Sequence, residues 1–117
     1  MIRELREKLA ADLAVLDVPV EPSWPDRVTP PLIFIQPPEA GSYVSGGRLF
    51  GGEYTVSVDV QIVIRDRDLA TLEELIEGVL VNTVDWGLLG VDTPAMVTAN
   101  NLEYFGTTIH LSKPARP

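Results

Sequence analysis

The 117-residue sequence contains no cysteine and a single histidine, His110. Without cysteine the chain cannot form disulfides, thiolate zinc sites or a cysteine nucleophile. Basic residues are also scarce, because nine Lys and Arg stand against 17 Asp and Glu, a formal net charge of −8. Binding to nucleic-acid phosphates requires clustered Lys and Arg. We therefore expect most of this surface to repel nucleic acid.

Long apolar runs are absent as well. No stretch approaches the roughly 20 apolar residues that a membrane span requires. Residues 1–9 mix Arg, Glu and Lys with apolar side chains, so they lack the apolar segment of a signal peptide. We expect a soluble cytoplasmic protein with no membrane partner. The length and the 45% of hydrophobic residues suit one domain, residues 1–117, with its own core.

The first recognisable pattern is an amphipathic helix over residues 2–16. Its apolar positions recur every three or four residues: Ile2, Leu5, Leu9, Leu13 and Leu16. Seven prolines between Pro19 and Pro38 then exclude helix. Within them, the apolar run 32–35 predicts a short buried strand, and the preceding residues 18–28 are expected to be extended.

Trp24 lies in this proline-rich segment. We expect its large ring to cover the rim of the core, with an exposed aromatic for binding as the alternative.

Glycine and proline dominate the next connection, residues 37–52. Loops of this length inside a compact domain are commonly functional or mobile. Its glycine spacing is that of a phosphate-binding loop, but Gly47 and Arg48 stand where Lys and Ser or Thr are needed. We interpret the segment as a Gly-rich loop that holds no nucleotide or other cofactor.

Strict alternation over residues 54–64 is the clearest pattern in the chain. Apolar side chains from Tyr54 to Ile64 alternate with Thr55, Ser57, Asp59 and Gln61. The alternation predicts a long central strand with one buried and one exposed face. At Val63 the polar face also turns apolar, so we expect that end of the strand to be covered on both sides. At about 3.3 Å per residue it is long for so small a domain, so we expect part of it to extend beyond the core as a hairpin arm.

A second helix is predicted over residues 69–84, with Asp66 or Asp68 as its N-cap. Gly78 lies inside its apolar stripe, which suggests close approach to a sheet or another backbone. Segment 66–92 contains seven acidic residues against Arg67 alone, so the negative charge is concentrated there.

Three of these acidic residues, Glu73, Glu74 and Glu77, face away from the apolar stripe of the second helix. Catalytic carboxyl groups need burial to raise their pKa, and an outward face does not provide it. We interpret the three as a solvated acidic face.

Two more strands are predicted over residues 95–99 and 107–111, joined by a turn at Asn100 and Asn101, with Gly106 as a bulge. Residues 113–117 are expected to be unpaired. The fold predicted is α+β: a mostly antiparallel sheet of four to five strands, with a long central strand, a Gly-rich loop and two helices packed on one face.

No residue pattern predicts catalysis or metal binding. A relay of His110 and Asp59 with Ser57 or Ser112 is conceivable, but no Gly-x-Ser-x-Gly motif accompanies it. The pair Asp66 and Asp68 lacks the glycine that a calcium loop requires. We expect no enzymatic activity, no catalytic residue, no metal and no cofactor.

This succession of elements resembles the tail-terminator family of long-tailed bacteriophages. The resemblance covers nearly the whole chain and is carried by these segments: the amphipathic helix 2–16, the proline-rich crossing into Leu32–Ile35, the Gly-rich loop, the alternating strand 54–64, the helix 69–84 and the closing hairpin that ends in 107–111.

The resemblance implies a structural virion protein. A ring of identical subunits, expected to be a hexamer, would cap the tail tube and join it to the head-proximal connector. The partners implied are the major tail tube protein, a head-tail connector or head-closure protein, and genome DNA that passes through the lumen without sequence-specific binding. The ring would assemble in the host cytoplasm and reside at the head-proximal end of the tail in the virion.

Charge and expected exposure then suggest two sets of site residues. The candidates for contact with neighbouring subunits or the tube are Tyr43, Arg48, Leu49, Phe50 and Tyr54, and the candidates for an acidic lumen are Asp59, Glu73, Glu74 and Glu77. The alternatives are another head-tail joining or minor tail protein, a small ligand-binding or hydrolytic domain with a pocket near His110 and Trp24, and an adaptor that adds a peptide to the C-terminal hairpin.

Overall fold

A computed structural model describes residues 1–47, 53–99 and 101–115. The predicted interface residues Arg48, Leu49 and Phe50 lie outside the described residues. The described part forms two helices and a mixed, mostly antiparallel sheet, as predicted. Its elements are α1 (Ile2–Leu13), a 3₁₀ turn (Ala14–Leu16), β1 (Val20–Glu21), β2 (Leu32–Gln36), β3 (Val44–Gly47), β4 (Glu53–Ile64), α2 (Leu69–Asn82), β5 (Gly87–Val91), β6 (Ala95–Ala99) and β7 (Leu102–Ala115).

Two long antiparallel strands, β4 and β7, form the centre of the sheet. They pair without interruption from Tyr54 opposite Ala115 to Ile64 opposite Phe105. Strands β2 and β3 lie end to end along the other edge of β4, and β5 and β6 lie end to end along the other edge of β7. The short β1 adds parallel to β2. Each flank of the central pair is therefore interrupted once, at residues 37–43 and at residues 92–94.

Both helices pack on one face of this sheet, as predicted. Leu9 and Leu13 of α1 and Leu72 and Val79 of α2 are buried in the same apolar cluster as the inward side chains of β2, β4 and β7. Gly78 approaches the side chain of Leu16 and not a sheet or backbone, since a Cβ there would lie 2.6 Å from Leu16 Cδ2. The expected N-cap is confirmed at Asp68, which accepts a hydrogen bond from the Thr71 N–H at 3.3 Å.

The opposite face of the sheet is covered at the Val63 end of β4, as predicted, but the covering also reaches Asp59 and Gln61, where an exposed face was expected. Val28, Leu32, Phe34 and Val63 form a second buried cluster there, against which Val97 and Tyr104 pack. Beside this cluster, Gln61 is 6% exposed. Its amide donates to the Thr107 carbonyl at 2.9 Å and its oxygen accepts from the Thr108 hydroxyl at 2.8 Å. A polar side chain on a strand therefore does not establish that its face of the sheet is exposed to solvent.

The C-terminal strand differs from its prediction in two ways. Gly106 pairs in register with Val63 and Ala95 and forms no bulge. Residues 113–115, expected to be unpaired, extend β7 along the first residues of β4. Asn101 lies in the predicted turn, with a φ of 65°, whereas its expected turn partner Asn100 lies outside the described residues. None of the helices in the described ranges is long and apolar enough to cross a bilayer.

Candidate functional site

The acidic face of α2 is present as predicted. Glu73, Glu74 and Glu77 are exposed, on the side of the helix away from the buried Leu72 and Val79. These carboxylates line no enclosed site, and Glu73 and Glu77 border a shallow cleft against residues 91–94. The arrangement presents negative charge to solvent, which repels other negatively charged groups.

Asp59, the fourth acidic candidate, does not lie on this face. Its side chain points to the side of the sheet opposite the helices and is only 1% exposed. The alternation of β4 correctly separates it from Val58 and Val60, but residues 38–42 cover it. Asp59 is therefore too buried to line a lumen in this conformation, unlike the exposed Glu73, Glu74 and Glu77.

The two described aromatic candidates occupy the arm formed by β3 and the start of β4. Tyr43 is half-buried and packs against the main core, and its carbonyl accepts a hydrogen bond from the Ser57 N–H at 2.9 Å. Tyr54 is half-buried on β4, opposite Gly46. Both side chains keep part of their surface available for a neighbour, although neither stands free in solvent.

An apolar surface that the sequence reasoning missed lies along β5. Leu88, Leu89 and Val91 are 52%, 66% and 36% exposed. Leu89 has no partner residue in β7, because the register shifts between Leu88 and Gly90. The outer edge of β5 has no strand partner among the described residues. We call β5 with these three side chains the apolar edge. Its signal in the sequence was the run Gly87-Leu88-Leu89-Gly90-Val91, which is too short to show a period.

The end of α2 extends this apolar character toward β5. Val81 and Val84 are 70% and 84% exposed, just before the strand begins. Exposed edge strands with large apolar side chains are uncommon in monomers, because they invite pairing with another chain. The apolar edge is therefore a candidate interaction surface.

A second candidate site surrounds His110, which points to the same sheet face as its register neighbours Gln36 and Asp59. Its Nδ1 lies 2.6 Å from Asp59 Oδ1 and its Nε2 lies 2.8 Å from Asp92 Oδ1. Asp59 also accepts from the Glu39 N–H at 3.1 Å. Burial lowers the pKa of His110, but hydrogen bonds to Asp92 and Asp59 and their negative charges outweigh it and raise the pKa above its ordinary value.

This geometry does not support the relay considered for His110. Both ring nitrogens face carboxylates, so neither is directed at the hydroxyl of Ser57 or Ser112. The adjoining cleft has a volume of only about 250 Å³. A nucleophile needs a base within hydrogen-bond reach, and His110 is not available for that role.

Trp24 is also placed differently from the expectation, since it is 64% exposed and does not cover the core rim. Its Nε1–H donates to Gln36 Oε1 at 3.0 Å, and its ring lines a separate, polar cleft. The ligand-binding hypothesis required one pocket near both His110 and Trp24. The two residues instead line separate clefts. Within the described ranges, no group of three or more His, Asp or Glu side chains is arranged to hold a metal ion.

Comparison with protein-family models gives no match for this chain, and comparison with curated proteins gives no significant similarity.

Proposed function

We propose that the chain is a structural subunit of a long-tailed phage virion, a tail terminator whose copies form a ring on the end of the tail tube. The observation that carries the proposal is the apolar edge. A strand whose outer edge has no partner among the described residues, and which exposes Leu88, Leu89 and Val91, is costly to leave in water and is readily covered by another chain. In a closed ring, the neighbouring subunit would cover such an edge.

Charge favours a head-to-tail contact over a two-fold one. Two β5 strands paired with each other would bring Asp85 of one copy close to Asp92 of the other; each is paired within its own copy, with Lys113 and His110, but at 44% and 55% exposed each still presents carboxylate surface to the contact. Like charges at a contact disfavour association. The arm strand β3 is the better partner edge, because Val44–Gly47 contains no charged residue and pairs only with β4 among the described strands.

Pairing between different edges of successive copies is heterologous, and such contacts close into rings when the rotation allows. In that ring the acidic face, Glu73, Glu74 and Glu77, is proposed to line the lumen. Negative walls would let genome DNA pass without adhering to them. The ends of the ring would contact the tail tube protein on one side and the head-proximal connector on the other.

The test uses the full chain together with tubes assembled from the major tail protein of the same phage. Light scattering after size exclusion should give a multiple of the 12.8 kDa subunit mass, and negative-stain images should show rings at tube ends. Tube elongation should stop when the chain is added. A protein that stays monomeric at high concentration and never decorates tube ends would overturn the proposal, and binding to the connector but not to tubes would identify a different neck protein.

A further inference from the structure

The two interruptions of the sheet flanks are connected through His110. The Glu39 N–H, from the interruption 37–43, bonds to Asp59, and Asp92, from the interruption 92–94, bonds to the imidazole. The Asp59 and His110 side chains, paired on the two central strands, lie between them. One imidazole therefore joins segments that are far apart in the sequence.

The protonation state of His110 decides whether both bonds can exist. A neutral imidazole has one N–H donor and one bare nitrogen, whereas an imidazolium has two donors. The partners at 2.6 and 2.8 Å are both carboxylate oxygens, which only accept. Two donors are needed to satisfy both contacts, so this geometry requires the imidazolium.

We propose that His110 is a pH-dependent latch: its imidazolium holds Asp92 against Asp59, and loss of the proton releases Asp92 and loosens the adjoining end of β5. Asp59 keeps the remaining Nδ1–H, because it is 1% exposed and cannot turn to water, whereas Asp92 is 55% exposed and can. The released segment continues directly into the apolar edge. The latch is a property of the isolated chain and does not depend on ring assembly.

The charged groups around the imidazole favour the cation and outweigh the opposing effect of its partial burial. From β4 the facing group is Asp59, from the turn after β5 it is Asp92, and from residues 37–43 it is the Glu39 N–H, which neutralises part of the Asp59 charge. Glu73 and Glu77 of α2 line a cleft with Asp92 on its other side. No cation contacts the ring in the described part of the chain. The direction of the His110 pKa, raised, agrees with this arrangement.

The test is a pH titration of the full chain by ¹⁵N NMR of the His110 ring, with amide exchange measured as protection factors. The midpoint should lie above about 6.5, the ordinary histidine value. Above the midpoint the proton should remain on Nδ1, next to Asp59. The protection factor of the Asp92 amide, which bonds to the Thr108 carbonyl, should fall about tenfold on deprotonation, while that of Glu39 stays constant.

The variant Asp92→Asn removes one carboxylate at an exposed position and should lower the midpoint without unfolding the chain. Asp85→Asn is the matched control, because Asp85 flanks the other end of β5 and pairs with Lys113 at 2.7 Å instead of His110. It should leave the His110 midpoint unchanged. A wild-type midpoint at or below 6.5, a high-pH tautomer with the proton on Nε2, or an Asp92→Asn midpoint equal to wild type would each overturn the latch.

Stability should follow the same titration. A raised folded-state pKa means that the contribution of His110 is fully present below the pKa of the unfolded chain and is lost as the pH rises through the folded pKa. The urea midpoint of the wild type should therefore fall as the pH rises above about 6.5 and through the folded-state midpoint measured by NMR, and it should fall less in Asp92→Asn. If the urea midpoint depended equally on pH in the wild type and in Asp92→Asn, the latch would be contradicted.

Discussion

Gly106 lies where the packing of β7 against β4 leaves no room for a side chain. A Cβ added there would lie 2.0 Å from the Ile62 carbonyl oxygen and 3.2 Å from Val63 Cα. Both contacts are with backbone near the C-terminal end of β4, which cannot move without breaking the ladder with β2. The glycine is required for its lack of a side chain and not for an unusual φ.

Gly106→Ala should therefore destabilise the fold by about 3 kcal/mol, the upper part of the range for overpacking a core. Gly90→Ala is the matched control, since a Cβ at Gly90 would meet nothing within 4 Å. It should be neutral or slightly stabilising. Urea denaturation of the two variants checks this, and equal midpoints would contradict the close approach.

Local sequence signals identified some single residues correctly and missed others. The N-cap at Asp68 depends only on residues one turn away, so it could be predicted. The burial of Asp59 depends on residues 38–42 folding over it, and its partner His110 lies on a strand distant in sequence. Such contacts carry no local pattern, which is why the sequence suggested an exposed aspartate.

The same distinction applies to whole elements. Strand β4 alternates from Tyr54 to Ile62, and the strand was predicted almost to its ends. Strand β7 is longer, but Gly106 and Pro114 interrupt its alternation of apolar and polar residues. Its last residues, 113–115, are in strand conformation because they pair with β4. Strands β3 and β5 are short and Gly-rich, so pairing with β4 and β7, and not intrinsic propensity, makes them strands.

The apolar edge can be tested with one charge. Leu89→Lys should weaken subunit association about thirtyfold, because about 2 kcal/mol of apolar burial per contact is lost. The change should leave the monomer stable to within about 0.5 kcal/mol, since Leu89 is 66% exposed. Sedimentation velocity over a concentration series measures the first effect and urea denaturation the second.

Val15→Lys is the matched control for this experiment. Val15 is 70% exposed and lies on the 3₁₀ turn, away from β5 in the chain and outside the sheet. The same charge there should not change association. If both variants weaken it equally, the effect is one of charge in general, and the apolar edge is not the contact.

At the scale of the whole molecule, an elongated shape and a negative charge act together. The longest dimension is 46 Å against 28 and 24 Å, in keeping with a sheet whose central pair runs past the core. Each copy carries a formal charge of −8, concentrated on the segment that contains α2. The proposed assembly through the apolar edge would therefore have to overcome repulsion between subunits.

Salt should consequently strengthen the ring. The Debye length falls from about 10 Å at 0.1 M to about 3 Å at 1 M, so added salt screens the repulsion but leaves apolar burial intact. The oligomeric fraction at a fixed protein concentration should rise between about 50 mM and 500 mM NaCl. Replacing Glu73 and Glu74 with Gln should raise the oligomeric fraction at low salt and flatten the dependence, because both side chains are exposed on the proposed lumen face. Dissociation by salt would mean that ion pairs hold the subunits together and that the apolar edge does not.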